Sequence, residues 1–128
     1  LRMTMEESPP TQTVLLIGGS GGIGAALAAR LRERNATVIL AGRDAARLNE
    51  VADRLGAERA VLDARDGAAV EAEVRSIVER HGRLDAAVNC AGSILLKPAH
   101  LLTDEEFADT LALNLVTAFN VVRAAARV

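Results

Sequence analysis

Residues 18–24 read GGSGGIG, so five glycines fall within seven positions directly after an apolar run. If a helix begins at these glycines, no side chain covers the unpaired backbone N–H groups and the partial positive charge at its N-terminus, and both stabilise an anion. Gly18 is predicted to make the turn with positive φ, Gly22 to let a phosphate approach the backbone, and Gly24 to let the helix pack closely on the sheet. Ser20 adds a hydroxyl donor. The pattern predicts phosphate binding, and the alternative is a tight turn without a ligand.

Two kinds of hydrophobic spacing alternate along the rest of the chain. Short apolar runs typical of buried strands occur at residues 13–18, 37–42, 59–63 and 84–92. Between these runs the apolar residues recur at helical spacing, and a further helix is predicted from about Asp104 toward the end. Strands that alternate with helices imply right-handed crossovers and a parallel sheet. The predicted fold class is therefore α/β, a doubly wound parallel sheet.

The last predicted helix has an unusual distribution of apolar residues. Thr103 and Glu106 have the spacing of a capping box at its start. In its second half, LALNLVTAFNVVRAAARV, apolar residues occupy nearly every side, so one face can lie on the sheet while the opposite face needs cover. Leu115, Phe119 and Val122 are candidates for burial, either against the sheet or across a symmetry axis of a homo-oligomer.

Composition narrows the classes of partner. The chain has 128 residues, of which 50% are hydrophobic, enough for one core and short for two. A net charge of −2 and an aromatic content of 2% argue against nucleic acid as a partner. The uncharged stretch 110–122 is shorter than the roughly 18 residues of a membrane span, and no pattern of metal ligands is present. The lone Cys90 and the lack of a signal-like start favour the cytoplasm. Residues 1–12 are predicted to be a flexible tail and residues 13–128 one domain.

Three motifs together resemble the short-chain dehydrogenase/reductase family. The glycines follow the spacing G-x-x-x-G-x-G, NCAG occupies residues 89–92, and Asn114 lies within LALNLVTAF. The family typically has T-G-x-x-x-G-I-G, N-N-A-G and an asparagine in the fifth helix; Ile17 and Cys90 stand here in place of its threonine and its second asparagine. The resemblance implies a Rossmann-type fold in three layers with strand order 3-2-1-4, and it extends from about Thr13 to Val128.

The resemblance also implies roles for single residues. Asp63 resembles the carboxylate that accepts from the adenine amino group beside the backbone of Ala64, the alternative being a helix or turn cap. Asn89 resembles a residue along the cofactor ribose, with a purely structural role as the alternative. Asn114 resembles the asparagine whose main-chain carbonyl holds a water in a proton relay, and a locally satisfied helical asparagine is the alternative. The full set of implied cofactor-binding residues is Gly18, Ser20, Gly21, Gly22, Ile23, Gly24, Arg43, Asp63, Ala64, Asn89, Ala91 and Gly92.

The end of the second strand bears on which cofactor is used. NAD-using relatives carry an acidic residue at the position of Gly42, and that residue would repel the extra phosphate of NADP. Arg43 follows directly, and its planar guanidinium can bind the 2′-phosphate and stack on adenine. Asp44 could serve NAD, but its position suits a helix N-cap. The sequence therefore favours NADP, with NAD possible.

The family's remaining catalytic residues, a serine and Y-x-x-x-K, are absent. The chain has no tyrosine, and its one lysine is Lys97. Two interpretations of the chain follow. It is either the cofactor-binding half of a longer NADP-preferring oxidoreductase, which acts on a carbonyl or secondary alcohol and forms a homodimer or homotetramer. Or it is a noncatalytic dinucleotide-binding module, such as a sensor or interaction subunit. The first is favoured, because strand four would otherwise be an exposed edge.

Overall fold

The structure, a computed structural model, describes residues 11–128; the predicted tail falls mostly outside these residues. Four strands alternate with helices in the predicted order. The strands are β1 (Thr13–Ile17), β2 (Thr37–Gly42), β3 (Glu58–Val61) and β4 (Ala86–Asn89). The helices are α1 (Gly22–Glu33), α2 (Ala45–Leu55), α3 (Gly67–His81), α4 (Asp104–Leu111) and α5 (Thr117–Ala125). A 3-10 turn at Ala99–Leu101 precedes α4, and a π-helical turn at Ala112–Val116 joins α4 to α5.

The strands form one parallel sheet with the order β3-β2-β1-β4, which confirms the predicted topology. In register, Thr13 of β1 faces Thr37 of β2, and Val14 faces Ala86 of β4. The two inner strands are buried, whereas β3 and β4 lie at the edges and are largely half-exposed or exposed. The carboxyl ends of all four strands therefore meet at one edge of the sheet.

The core is divided into two layers by the sheet. Alternate side chains of β1 and β2 point to opposite faces, as the period of two in a strand requires. Leu15 and Ile39 pack with α3 and α5 through residues such as Val70, Ile77 and Val121. On the other face Leu16 and Leu40 pack with α1 and α2, and Ala28, Leu48 and Val51 complete that cluster. The helix, sheet and helix layers confirm the three-layer architecture.

Side-chain caps and glycines set the helix boundaries. The carboxylate of Asp44 accepts from Arg47 N at 3.0 Å and caps α2, as predicted. Gly56 ends that helix in the left-handed conformation, with φ +63°. Thr103 and Glu106 form the predicted reciprocal capping box at the start of α4. Local sequence thus fixes where the chain enters and leaves these helices.

The face of α5 that lies on the sheet is formed by Thr117, Asn120, Val121 and Ala124, all of them buried. Leu115, Phe119 and Val122 are exposed by 61%, 57% and 68%. Of the two predicted alternatives for these residues, burial against the sheet is therefore wrong, because two polar and two apolar residues of the helix take that position. No helix within residues 11–128 combines the length and apolar character needed to cross a membrane.

Candidate cofactor site

The glycine turn lies at the carboxyl edge of the sheet, between β1 and α1. Gly18 has φ +73°, as predicted, and its N–H donates to Ala41 O at 2.8 Å. Gly21 N–H returns to Gly18 O at 3.1 Å and closes the turn. The backbone N–H groups of residues 22–24 open α1 and have no intrahelical acceptor. This arrangement offers N–H donors and the positive end of a helix dipole at one point.

Two of the other motifs are packed on this turn. A Cβ added to Gly18 would lie 2.7 Å from Ala91 N, so the turn touches the backbone of the segment after β4. One added to Gly92 would lie 2.9 Å from Asn114 Oδ1, and the same oxygen accepts from Ser93 N at 3.1 Å. The three motifs that the sequence analysis singled out therefore form one continuous contact.

The glycine at position 24 has a different neighbour from the one predicted. A Cβ there would collide with Gly18 O and lie 2.8 Å from Gly19 Cα. The close packing is thus between α1 and the glycine turn itself, rather than between α1 and the sheet. A Cβ on Gly22 would meet nothing within 4 Å, so that position opens into free space.

A cavity of about 510 Å³ opens at this edge of the sheet. Its walls come from the glycine turn, the ends of β2 and β3, the segment after β4 and the helical region at Leu113 and Thr117. Eight predicted cofactor-binding residues line it: Gly18, Ser20, Gly21, Arg43, Asp63, Ala64, Ala91 and Gly92. Gly22, Ile23, Gly24, Asn89 and Asn114 are not in its wall, and the Ile23 side chain is 79% exposed.

Asp63 forms an ion pair that the sequence analysis did not anticipate. Arg65 Nη2 lies 2.7 Å from Asp63 Oδ2, and Arg65 Nε lies 3.1 Å from both carboxylate oxygens. The backbone N–H of Arg65 also donates to Oδ1 at 3.0 Å. The hydrogen bonds from the Arg65 side chain hold the pKa of Asp63 at about 2, and the charge of Arg43 contributes in the same direction. Asp63 is therefore an ionised acceptor at neutral pH.

Two arginines line the part of the cavity formed by the end of β2 and the start of α2. Arg43 follows β2, is exposed, and forms no ion pair with residues 11–128. A Cβ on the neighbouring Gly42 would lie 3.8 Å from the side chain of Leu48, an ordinary van der Waals contact, so a methyl group would fit there. Arg47, one turn into α2, also lines the cavity, as does the capping carboxylate of Asp44. With Asp63, the lining holds two arginines and two aspartates, so its formal charges balance, but neither arginine forms an ion pair with a described residue.

Asn89 and Thr117 form a chain of hydrogen bonds next to the cavity. Asn89 Nδ2 donates to Thr117 Oγ1 at 3.2 Å, and Asn89 Oδ1 accepts from Ala91 N at 3.1 Å. These bonds correspond to the structural alternative for Asn89. Thr117 Oγ1 in turn donates to Leu113 O at 2.7 Å, while Thr117 N–H donates to Ala112 O. The Thr117 hydroxyl thus donates a hydrogen bond to the Leu113 carbonyl, which the π-helical turn leaves without a backbone donor, next to Asn114.

Asn120 is a second polar residue, besides Thr117, on the buried face of α5. Its Nδ2 donates to Ala64 O at 2.9 Å and to Arg65 O at 3.2 Å. Sequence reasoning missed Asn120, Thr117, Arg65 and Arg47. A signal was present for two of them, because residues 114, 117 and 120 are polar at a spacing of three within an otherwise apolar helix.

Other reactive side chains lie at the margin or elsewhere. Cys90 lines the cavity and is half-buried, and burial raises the pKa of its thiol, so it is a weak nucleophile. His81 Nε2 lies 2.9 Å from Glu58 Oε1, away from the cavity. Lys97 Nζ pairs with Glu106 at 2.7 Å. Within residues 11–128, His, Cys, Asp and Glu side chains form no group of three or more that could hold a metal ion.

A parallel sheet of order 3-2-1-4 with a glycine turn at its carboxyl edge defines a Rossmann-type α/β protein. The family model described as short chain dehydrogenase matches residues 12–128. The chain belongs to this family of short-chain dehydrogenases and reductases.

Individual relatives agree with this assignment. The 3-hydroxyacyl-CoA dehydrogenase type-2 of Drosophila melanogaster is 37% identical over 123 residues, which cover 88% of this chain and 47% of that protein. D-threitol dehydrogenase of Mycolicibacterium smegmatis is 32% identical over 113 residues, which cover 84% of this chain and 44% of that protein. A crystal structure of an actinorhodin polyketide ketoreductase variant with NADPH superposes with a TM-score of 0.86 at 29% identity, covering 90% of this chain and 46% of that one. The chain spans about half the length of these relatives.

Proposed function

We propose that this chain is the cofactor-binding portion of an NADP-preferring oxidoreductase that transfers a hydride between a nicotinamide cofactor and a carbonyl or secondary alcohol. The observation that carries the proposal is the cavity at the carboxyl edge of the sheet, where the glycine turn, Arg43 and Asp63 meet. Its position is the crevice in which doubly wound proteins bind dinucleotides. Membership of the family and the NADPH in the ketoreductase crystal structure support the same function.

The residues of the cavity fit the chemical groups of a dinucleotide. The N–H groups at the start of α1 and the hydroxyl of Ser20 suit the pyrophosphate, which carries negative charge. The ionised carboxylate of Asp63 suits the adenine amino group, since an ionised carboxylate only accepts hydrogen bonds. Ala91 and Gly92 pass along the wall expected for the ribose next to nicotinamide. When bound, the nicotinamide supplies the hydride.

The preference for NADP rests on Arg43. A guanidinium with no carboxylate partner among the described residues, beside Gly42, which carries no side chain, suits a 2′-phosphate. Asp44, whose carboxylate is engaged as the cap of α2, is then a structural residue. Arg47 adds a second positive charge to the same wall.

Two further features belong to this proposal. The main-chain carbonyl of Asn114 is the candidate for holding a water in a proton relay, because the π-helical turn alters the carbonyl pairing around it. The exposed apolar surface of Leu115, Phe119 and Val122 supports assembly as a homodimer or homotetramer. We further propose a cytoplasmic location and a small-molecule substrate.

The test compares Arg43→Ala with wild type in the complete protein, with NADPH and NADH titrated separately. Loss of a charge-assisted contact of roughly 1.5–3 kcal/mol should lower the affinity for NADPH by about 10- to 150-fold and leave the affinity for NADH nearly unchanged. Arg34→Ala, at the far end of α1, removes the same charge outside the cavity and should change neither affinity. Tighter wild-type binding of NADH than of NADPH would contradict the role of Arg43, and binding of neither would contradict the proposed function.

A further inference from the structure

The loop between β3 and α3 forms the adenosine wall of the cavity. It carries Asp63 and Ala64, and both line the cavity. Leu62 N–H, at the start of the loop, donates to Gly42 O at 2.9 Å, but from Asp63 onward the backbone N–H bonds are local: Asp66 N–H donates to Asp63 O at 3.0 Å, and Arg65 N–H donates to the Asp63 side chain. Local bonds shape the loop but do not fix its distance from the glycine turn.

Asn120 links this loop to a distant part of the chain. Its side chain is buried on α5, 4% exposed, and its Nδ2 reaches the carbonyls of Ala64 and Arg65 across 56 and 55 positions of sequence. Arg123 Nη2 donates to Asn120 Oδ1 at 3.2 Å, which fixes the orientation of the amide. With its oxygen occupied by Arg123, the Asn120 amide must present its N–H groups to the loop.

Gly67, the first residue of α3, leaves space for this arrangement. A Cβ at that position would lie 2.9 Å from Asn120 Oδ1 and would collide with Arg123 Nη2. The Asn120 donor on α5 therefore fits only because residue 67 on α3, which lies beside it, is a glycine. An apolar residue at 120 would leave two carbonyls of the loop without this donor.

We propose that Asn120 is a positioning residue for the adenosine half of the cofactor, acting through the backbone of Ala64 and Arg65. It holds the loop against α5, so that the carboxylate of Asp63 and the backbone of Ala64 stay at the cavity wall. Asn114, six positions earlier and exposed, contacts the segment after β4 instead. Asn120 therefore acts on one half of the site only. This inference rests on the proposed dinucleotide function.

The experiment separates the two halves of the cofactor. In the complete protein, Asn120→Asp keeps the size of the side chain but removes the N–H donors. Affinities are measured for ADP, the half common to NAD and NADP, and for reduced nicotinamide mononucleotide. We expect ADP to bind about tenfold more weakly, which corresponds to about 1.4 kcal/mol, and reduced nicotinamide mononucleotide to change by less than about twofold. Asn49→Asp, the same change on the exposed surface of α2, should alter neither affinity.

Each outcome decides one question. Equal weakening of both half-cofactors, or no change in either, would overturn the positioning role and leave Asn120 as a general stabilising residue. Gly67→Ala disturbs the same contact from α3 and should reproduce the selective loss; it decides the matter if Asn120→Asp does not fold. A wild-type protein that binds neither half would instead refute the proposed function.

Discussion

Arg65 donates hydrogen bonds to the carboxylate of Asp63 from both its side chain and its backbone: the guanidinium contacts both oxygens, and the backbone N–H contacts Oδ1. The two residues are two apart in sequence, so the pair is built within the loop after β3. Because the charged form of Asp63 accepts all of these bonds, its pKa falls from 3.8 to about 2. The carboxylate is therefore kept ionised, as an acceptor, over the whole physiological range.

The first prediction concerns the titration of this carboxylate. The side-chain carbon of Asp63, followed by NMR, should titrate near pH 2, and Arg65→Ala should raise the pKa by about one to two units. A lowered folded-state pKa stabilises the fold above the unfolded pKa, so the contribution is complete above about pH 4 and is lost as the pH falls toward 2. With both side chains more than a third exposed, the loss of stability should be small.

Arg59→Ala is the matched control, because it removes an ion pair with Asp53 outside the cavity. It should leave the titration of Asp63 unchanged. A wild-type pKa near 3.8 would show that Arg65 does not hold the carboxylate in solution.

Local patterns predicted the scaffold of this protein well. The parallel sheet followed from the alternation of strands and helices, and its strand order followed from the family resemblance. The roles of Asp44 and Thr103 as caps followed from residue type and position. Strand β3 ends at Val61, two residues before the predicted end, although Leu62 N–H still donates to Gly42 O at 2.9 Å. An edge strand has one partner only, so its pattern alone does not fix where pairing stops.

The missed features are of two kinds: local pairs set by the conformation of a loop or helix, and contacts between distant segments. The ion pair at Asp63 depends on the loop conformation, and the bonds of Asn120 join residues more than 50 positions apart. The π-helical turn occurs together with the hydrogen bond from Thr117 Oγ1 to Leu113 O. Because most residues of this helix are apolar, the roles of its few polar residues were not predicted. Sequence patterns report local preference, whereas the bonds of Asn120 exist only once the sheet and α5 are packed.

The second prediction separates two glycines of the turn. Gly22→Ala places a methyl group in open space, so the protein should fold with nearly wild-type stability while NADPH binds roughly tenfold more weakly or worse, because the methyl group lies where the phosphate approaches. Gly24→Ala forces a methyl group against Gly18 O and should cost about 1–3 kcal/mol of stability. Thermal unfolding and NADPH titration measure the two effects. Undiminished NADPH affinity in a folded Gly22→Ala protein would remove the argument for phosphate contact there.

The third prediction concerns the two possible roles of Asp44. Asp44→Ala should lower stability by about 1 kcal/mol through loss of the cap on α2, whereas Asp44→Ser keeps a capping oxygen and should be nearly neutral. Both substitutions remove a negative charge from the cavity wall, so NADPH should bind about two- to fivefold more tightly at low salt. NADH, which lacks the 2′-phosphate but keeps the charged pyrophosphate, should tighten by a smaller factor. If Asp44→Ala weakens NADH, the carboxylate contacts the ribose and Asp44 serves NAD.

The last prediction concerns the apolar surface of α5 and the turn before it. Leu115, Phe119 and Val122 lie at i, i+4 and i+7, which places them on one side of the helix, opposite the residues packed on the sheet. If this surface joins two copies, Val122→Glu buries an unpaired carboxylate at the contact and should weaken association by at least about 100-fold. Ala72→Glu introduces the same charge on the exposed side of α3 and should leave association unchanged. Sedimentation of the complete protein measures both. A wild-type protein that sediments as a monomer at micromolar concentration would refute the assembly, and an oligomer that tolerates Val122→Glu would place the contact on another surface.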